Sequence, residues 1–231
     1  MQPQVLQRFL TATGNTLLLT LLSMPLAVCL GLALALMRSS RHRWLSWPAS
    51  VYIEVVRGTP LLVQLYLVYF SLAQLGVHWG TDLLTFDAFY VGVACLAGNY
   101  AAYEAEIHRA GLQAIDKGQR EAALSIGMSE RQSFFRVVLP QAFRIVIPPV
   151  INDLIAMLKD SCLVSVIGVQ ELLTVAQSVG KSRAAVAEML VVAAIFYLAL
   201  SLPCYYLGKY IENRLKARGM PELHLDNVHG H

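Results

Sequence analysis

Gly118-Gln119-Arg120-Glu121-Ala122-Ala123-Leu124-Ser125-Ile126-Gly127-Met128-Ser129-Glu130-Arg131-Gln132-Ser133-Phe134-Phe135-Arg136-Val137-Val138-Leu139-Pro140 is the longest stretch of high charge density in the chain, and it stands between long apolar runs. A charged segment set among such runs must lie in water, where it can touch a soluble partner. Residues Arg120 to Ile126 are good helix formers, and Gly127 supplies the left-handed backbone position at which helices commonly stop. Ser129, with Gln132 three residues on, makes a capping box that restarts the helix. Phe134, Phe135, Val137, Val138 and Leu139 give the second helix an apolar side, and Pro140 and Pro148 are expected to break it before the next apolar run. The expected element is a short helix, a glycine hinge and a second short helix at a membrane surface.

The rest of the chain is consistent with that surface. Of 231 residues, 56% are hydrophobic and only 14% charged, far from a soluble composition. The fold expected is all-α: a polytopic integral membrane protein of about five transmembrane helices, one domain over residues 1–231, with the lipid bilayer as its surroundings. The spans read as Thr16 to Met37, about Ala49 to Leu75 with a kink at Pro60, Phe86 to Tyr103, about Pro149 to Val169, and Val186 to about Leu207. Short outer segments fall at Gly76 to Asp82 and Glu171 to Glu188. Ala33-Leu34-Ala35 imitates a signal-peptide cleavage site, yet Arg38, Arg41 and Arg43 follow the first apolar run instead of preceding it, so the span is expected to be retained. An outer N-terminus and a cytoplasmic C-terminus place thirteen of the 18 Lys and Arg residues inside, which satisfies the positive-inside rule.

Several chemistries are absent. The net charge of +3 gives no sign of a nucleic acid partner. Cys29, Cys95, Cys162 and Cys204 stand singly and read as small hydrophobes, neither disulfides nor metal ligands. His224, His229 and His231 lie on a terminus and make no metal site. Gly180-Lys181-Ser182 imitates the end of a phosphate-binding loop, but the earlier glycine of that loop falls on Val175. No nucleophile or paired-carboxylate constellation indicates catalysis, so the chain is not expected to be an enzyme and has no catalytic residues to assign.

The fourth span is unusual. Asn152, Asp153, Lys159, Asp160 and Ser161 sit among Ile, Leu and Val. An ionised side chain at the bilayer centre costs about 2.5 to 3.5 kcal/mol on insertion scales. Adjacent helical residues point about 100° apart, so Lys159 and Asp160 do not pair with one another across one face. Either they form a structural network with other segments or they line a translocation path, and both place them inside the bundle or beside water. Glu54 and Arg57, three apart, can pair on one helix face. Gly92, Gly98 and Asn99 offer small surfaces for helix packing in the third span.

Four runs carry a family resemblance. Glu121-Ala122-Ala123, three residues, Gly127, nine residues and then Val137-x-Leu139-Pro140 resembles the EAA loop of the permease subunits of ABC importers, with Val137 where Ile is commoner. Arg57-Gly58-Thr59-Pro60 resembles a signature of polar amino acid permeases. Tyr103, Glu106 and Arg109 match a Tyr-x-x-Glu-x-x-Arg run, with Glu104 where a small residue is usual. Asn152 with Lys159-Asp160-Ser161-Cys162-Leu163 is similar to the family's Asn…Lys-Asp-Thr-Ser-Leu run, Ser-Cys replacing Thr-Ser.

The resemblance implies a type I importer permease whose coupling loop, about residues 106–145, docks on a cytoplasmic ABC ATPase subunit. Glu121, Ala122, Ala123, Gly127, Leu139 and Pro140 would carry that coupling, the two alanines allowing close approach. Arg57, Thr59, Asn99, Asn152, Lys159 and Asp160 would belong to the translocation path or gate. It implies no cofactor on this chain, with ATP and Mg on the ATPase. It also implies a second permease subunit, identical or not, an extracytoplasmic solute-binding protein and a bacterial inner-membrane location. The substrate expected is a polar amino acid. An opine or other small zwitterion fits equally well, and a channel or scaffold without an ATPase also accounts for the apolar spans.

Overall fold

The computed structural model describes residues 3–79 and 86–216. Nine α-helices follow in order among the described residues: α1 (Pro3–Arg38), α2 (Arg43–Arg57), α3 (Leu61–Trp79), α4 (Ala88–Gln113), α5 (Lys117–Ser125), α6 (Glu130–Ser133), α7 (Leu139–Asp160), α8 (Leu172–Arg183) and α9 (Val186–Lys216). A π-helical turn, Phe134–Val138, joins α6 to α7, and a 3-10 stretch, Ser161–Ile167, continues α7. The expected all-α membrane fold is therefore what the chain adopts.

The centre of the bundle is the pairing of α1 with α4. A Cβ on Gly31 would stand 2.5 Å from Glu104 Cβ and 3.0 Å from the Ala101 carbonyl. Only glycine lets the two backbones approach this closely. Glu104, the unusual residue of its run, is consequently fully buried under α1, with His108 Nε2 3.7 Å away. Leu19, Leu65, Leu96, Met157 and Val164 close the main apolar core around this pair, drawing in α3 and the end of α7.

Four expectations need correction. Pro60 is not a kink in one helix: α2 ends at Arg57, and α3 leaves at 109° to it. Pro140 and Pro148 do not break the second coupling helix. Pro140 lies in the first turn of α7, preceded by the π-helical turn, and Pro148 and Pro149 lie inside α7. A proline cannot donate to the carbonyl of the preceding turn, and helices in a bundle absorb this by widening or by neighbours that satisfy the freed groups.

The segment from Glu171 to Glu188 is not a simple outer connection. Gly168 turns the chain in the left-handed region (φ 89°), and α8 then folds back against α9 and α1, burying Leu172, Val175, Ala176 and Val179. Finally, α4 extends beyond Tyr103 to Gln113 and α7 begins at Leu139, so the ends of the 106–145 loop are helical and the connection proper is residues 114–138. The remaining part of the first outer turn, residues 80–82, and the tail from residue 217 onward lie outside the described residues.

By length and composition, α1 and α9 can each cross a membrane, and the number rises to four if α2 with α3, and α6–α7 with α8, each count as one bent span. The expected third span, α4, is ~39 Å long at 1.5 Å per residue, but Glu104, Glu106, His108 and Arg109 occupy its second half. That half is largely covered by other helices, burying Glu104, Ala105, His108 and Gly111, which is why its sequence can be this polar.

Glu171 secures the fold-back. The side chain is fully buried and caps α8, accepting from Leu173 N (2.7 Å), Thr174 N (2.6 Å), Thr174 Oγ1 (3.0 Å) and Tyr197 Oη of α9 (2.6 Å). Replacing it by alanine strands those donors, and charge-assisted hydrogen bonds carry about 1.5 to 3 kcal/mol each. Glu171→Ala is expected to lower stability by about 3 kcal/mol or more, read as a large drop in the thermal midpoint of the purified chain in detergent, with Tyr197→Phe losing much less.

Candidate functional site

Two regions gather the residues singled out above. The first is built on the elbow between α2 and α3. Gly58 N closes α2 on the Glu54 carbonyl (2.9 Å), and Thr59 Oγ1 donates to the Val55 carbonyl (2.8 Å). Gln64 then brackets the elbow from α3: its Nε2 donates to the carbonyls of Val56 (2.8 Å) and Thr59 (3.1 Å) and to Thr59 Oγ1 (2.8 Å). Its Oε1 accepts from Asn99 Nδ2 of α4 at 3.0 Å. Sequence reasoning missed Gln64, although one amide early in an otherwise apolar run was a visible signal.

Against this elbow lies a cavity of about 510 Å³, lined by Arg57, Thr59, Asn99, Tyr100, Tyr103, Asp153 and Asp160 among others. Asp153, Ala156 and Asp160 recur at three- and four-residue spacing, so they share the face of α7 that forms one wall. Asp160 Oδ2 accepts from Tyr100 Oη at 2.8 Å. Asp153 Oδ2 is buried and accepts no hydrogen bond among the described residues. Arg57 also lines the cavity, its guanidinium lying over the Tyr103 ring, 5.5 Å from the centroid. The expected Glu54–Arg57 pair does not form. Glu54 reaches α1 instead, 3.6 Å from Arg38 Nη2. Stacking on an aromatic face leaves the guanidinium donors open, so the cavity lining includes one cation and two carboxylates.

Arg57, Thr59, Asn99 and Asp160 are thus brought together, whereas Asn152 and Lys159 are not. Both are exposed, seven residues apart on another face of α7, outside the cavity lining, and Lys159 has no ionic partner among the described residues. Adjacent positions on a helix diverge by about 100°, which separates Lys159 from Asp160 as the spacing requires.

The second region is the connection between α4 and α7. Asp116 caps α5 by accepting from Gly118 N (2.6 Å). At its other end Gly127 sits at φ 86°, with Gly127 N on the Leu124 carbonyl (2.9 Å) and Met128 N on the Ala123 carbonyl (3.1 Å). This is the paired hydrogen-bond closure that needs a left-handed residue. The capping box of Ser129 and Gln132 is present in both directions, at 3.3 and 2.9 Å. Arg120 bridges the turn to Glu130, with nitrogen–oxygen distances of 2.5 and 3.0 Å.

Glu121 and Ala122 face outward and Ile126 at the tip is 76% exposed, but Ala123 is buried within the chain. Of the two alanines only Ala122 therefore lies on the outward face, which Ile126 shares. Leu139 and Pro140 stand where the π-helical turn gives way to α7. Leu139 is half-buried there and Pro140 is exposed.

An ionic cluster joins α1, α2 and the second half of α4, the helix from which this connection leaves. Glu106 pairs with Arg38 of α1 and with Arg109 (2.6 and 3.1 Å), and Arg38 also meets Glu54 of α2. Among the described residues no group of three His, Cys, Asp or Glu side chains could hold a metal ion.

Comparison with known proteins identifies the family. The chain is 39% identical over 202 residues to the arginine transport system permease protein ArtQ of Bacillus subtilis (strain 168), covering 87% of this chain and 90% of that one. It is 39% identical over 201 residues to the L-cystine transport system permease protein TcyB of the same organism, covering 87% and 83%. A solved structure described as an amino acid ABC transporter with histidines superposes with a TM-score of 0.84 at 40% identity, covering 91% of this chain and 95% of its counterpart. Residues 27–217 match the model of one family, and the chain belongs to it: the binding-protein-dependent transport system inner membrane components, which are multi-pass translocation subunits and not enzymes.

Proposed function

We propose that this chain is one half of the membrane pathway of an ATP-driven importer for a polar amino acid or a similar small zwitterion. The observation that carries the reading is the elbow cavity, whose lining holds the Arg57 guanidinium together with the carboxylates of Asp153 and Asp160. A zwitterion needs that combination: its carboxylate meets a fork of N–H donors and its ammonium meets a carboxylate. The relatives and the solved neighbour, described as amino acid transporters or permeases, support the same solute class.

In this reading a binding protein delivers the solute on the outer side, and an identical or related second permease completes the pathway. A separate ATPase, which holds ATP and Mg, docks on the outward face of α5 through Glu121, Ala122 and Ile126. Its closure moves the α5–α6 element, and the Arg38–Glu106–Arg109 cluster carries the displacement to α1, α2 and α4. Asn152 and Lys159, exposed on α7, face the partner permease, since a lipid-facing lysine at that depth is costly. Five spans with the N-terminus outside, in a bacterial inner membrane, put the basic loops on the ATPase side.

The test is uptake by the reconstituted complex with ATP inside the vesicles, across neutral, basic and acidic amino acids, an opine and a sugar. At least one zwitterion is expected to accumulate and the sugar is not. Uptake of the sugar alone would overturn the reading. Single cysteines test the topology: Ser182→Cys should label from outside and Ser125→Cys only from the cytoplasm.

A further inference from the structure

The helix α2 has a face that the transport reading does not use. Trp44 (73% exposed), Trp47 (69%), Val51 (39%) and Val55 (57%) recur at three- and four-residue spacing, so they form one outward stripe. The opposite side buries Ala49 and Ile53, the latter against Ala35 of α1 and Ala105 of α4. Immediately before the stripe, Arg41 and Arg43 are exposed and form no ion pair among the described residues, whereas Arg38 is occupied by Glu54 and Glu106. The His42 ring stands 6.3 Å from that of Trp44.

Depth and charge identify the occupant. The apolar outer face of α1 ends at Leu36, exposed like the rest of that face, and the charged residues begin at Arg38. The start of α2 is therefore level with the lipid headgroups. Tryptophan prefers that level, and an amphipathic helix with cations at its edge lies along it. A protein partner of ordinary composition would ask for carboxylates or donors of both kinds here. The free groups are two guanidinium ions beside two indoles, which suit a phosphodiester above acyl chains.

We propose that Arg41, Arg43, Trp44 and Trp47 form a binding site for an anionic phospholipid of the cytoplasmic leaflet. The consequence rests on the transport reading: α2 runs from this site to the elbow that carries Arg57 and Thr59, so a bound headgroup steadies one wall of the cavity.

The test uses the full chain with its ATPase in nanodiscs, carrying Trp79→Phe so that Trp44 and Trp47 are the tryptophans left in this chain, with the same complex carrying Trp44→Phe and Trp47→Phe as well for the blank. Fluorescence quenching by brominated phosphatidylglycerol is compared with quenching by brominated phosphatidylcholine. Stronger quenching by phosphatidylglycerol is expected. Arg41→Gln with Arg43→Gln should abolish the difference, lowering the preference about twenty-five-fold, because each basic residue near an anionic surface contributes about five-fold. Soluble glycerol phosphate should not displace the lipid.

Equal quenching by the two lipids in the wild-type chain would overturn the site, as would displacement by glycerol phosphate. So would cross-linking of Trp47→Cys between two copies, which would make the stripe a permease interface. Quenching needs no transport and both leaflets of a nanodisc are alike, so failure of this site and failure of the importer reading or its orientation are told apart.

Discussion

Gly127→Val is expected to leave the helical bundle intact while uptake and solute-stimulated ATP hydrolysis fall together by about ten-fold or more. A Cβ at this position would meet nothing within 4 Å, so space is not the obstacle. The obstacle is φ 86°, which a β-branched residue occupies only at a cost of about 1 to 2 kcal/mol. The chain escapes by leaving the left-handed region, and the two hydrogen bonds that close α5 on Leu124 and Ala123 then lose their geometry.

Arg120 and Glu130 are both mostly exposed, so their bridge is too weak to hold the old angle. The result is rotation of Glu121, Ala122 and Ile126 relative to α6. A shift of 1.4 kcal/mol in the docked arrangement is about ten-fold in rate. Gly127→Asn, which tolerates the left-handed region, should retain most activity. Normal transport by the valine variant with the ATPase still bound would remove the coupling role from this turn. Ala123→Asp does not test docking, because Ala123 packs inside the chain. Ile126→Asp tests it, and should release the ATPase during purification.

The second large effect is expected at Asp160. Asp160→Asn keeps an acceptor for Tyr100 Oη but removes the charge from the cavity wall, and Asp160→Ala removes both. If the carboxylate binds the solute ammonium, both variants lose one charge-assisted hydrogen bond, about 1.5 to 3 kcal/mol, so the KM of uptake rises about ten- to hundred-fold in each. If Asp160 serves only to hold Tyr100, the asparagine variant transports normally. Tyr100→Phe separates the two further, since it removes the internal bond and leaves the cavity charge in place. It should change uptake by no more than a few-fold.

The contrast between these sites explains what could be seen in the sequence. The Gly127 hinge and the Ser129–Gln132 box are closed by hydrogen bonds spanning a few residues, so spacing alone reveals them. The convergence of Arg57, Thr59, Asn99 and Asp160 was visible only through family resemblance, because it depends on α2, α4 and α7 meeting in space. The partner of Arg57 could not be read from spacing: Glu54 is within reach along the helix, yet Arg38 and Tyr103 are better placed in three dimensions.

The proline errors have a related origin. Local rules predict a break at Pro140 and Pro148, but α7 is held by α4 and α9 on its flanks and continues through them. At the elbow, Gly58 and Pro60 mark a break without fixing its angle, and the 109° turn is set by Gln64 reaching back to Val56 and Thr59. Glu171 was hidden for the same reason, since one of its donors, Tyr197, lies on another helix.

The central claim is that the charged cavity at the α2–α3 elbow is where the solute sits within the membrane. The most direct measurement is equilibrium binding of the transported amino acid to the purified permease–ATPase complex without its binding protein, in the wild type and in Arg57→Ala. Saturable binding by the wild type, weakened at least about ten-fold when the guanidinium is removed, is the result expected. Binding of equal affinity in Arg57→Ala would contradict it, because the solute carboxylate would then be held elsewhere.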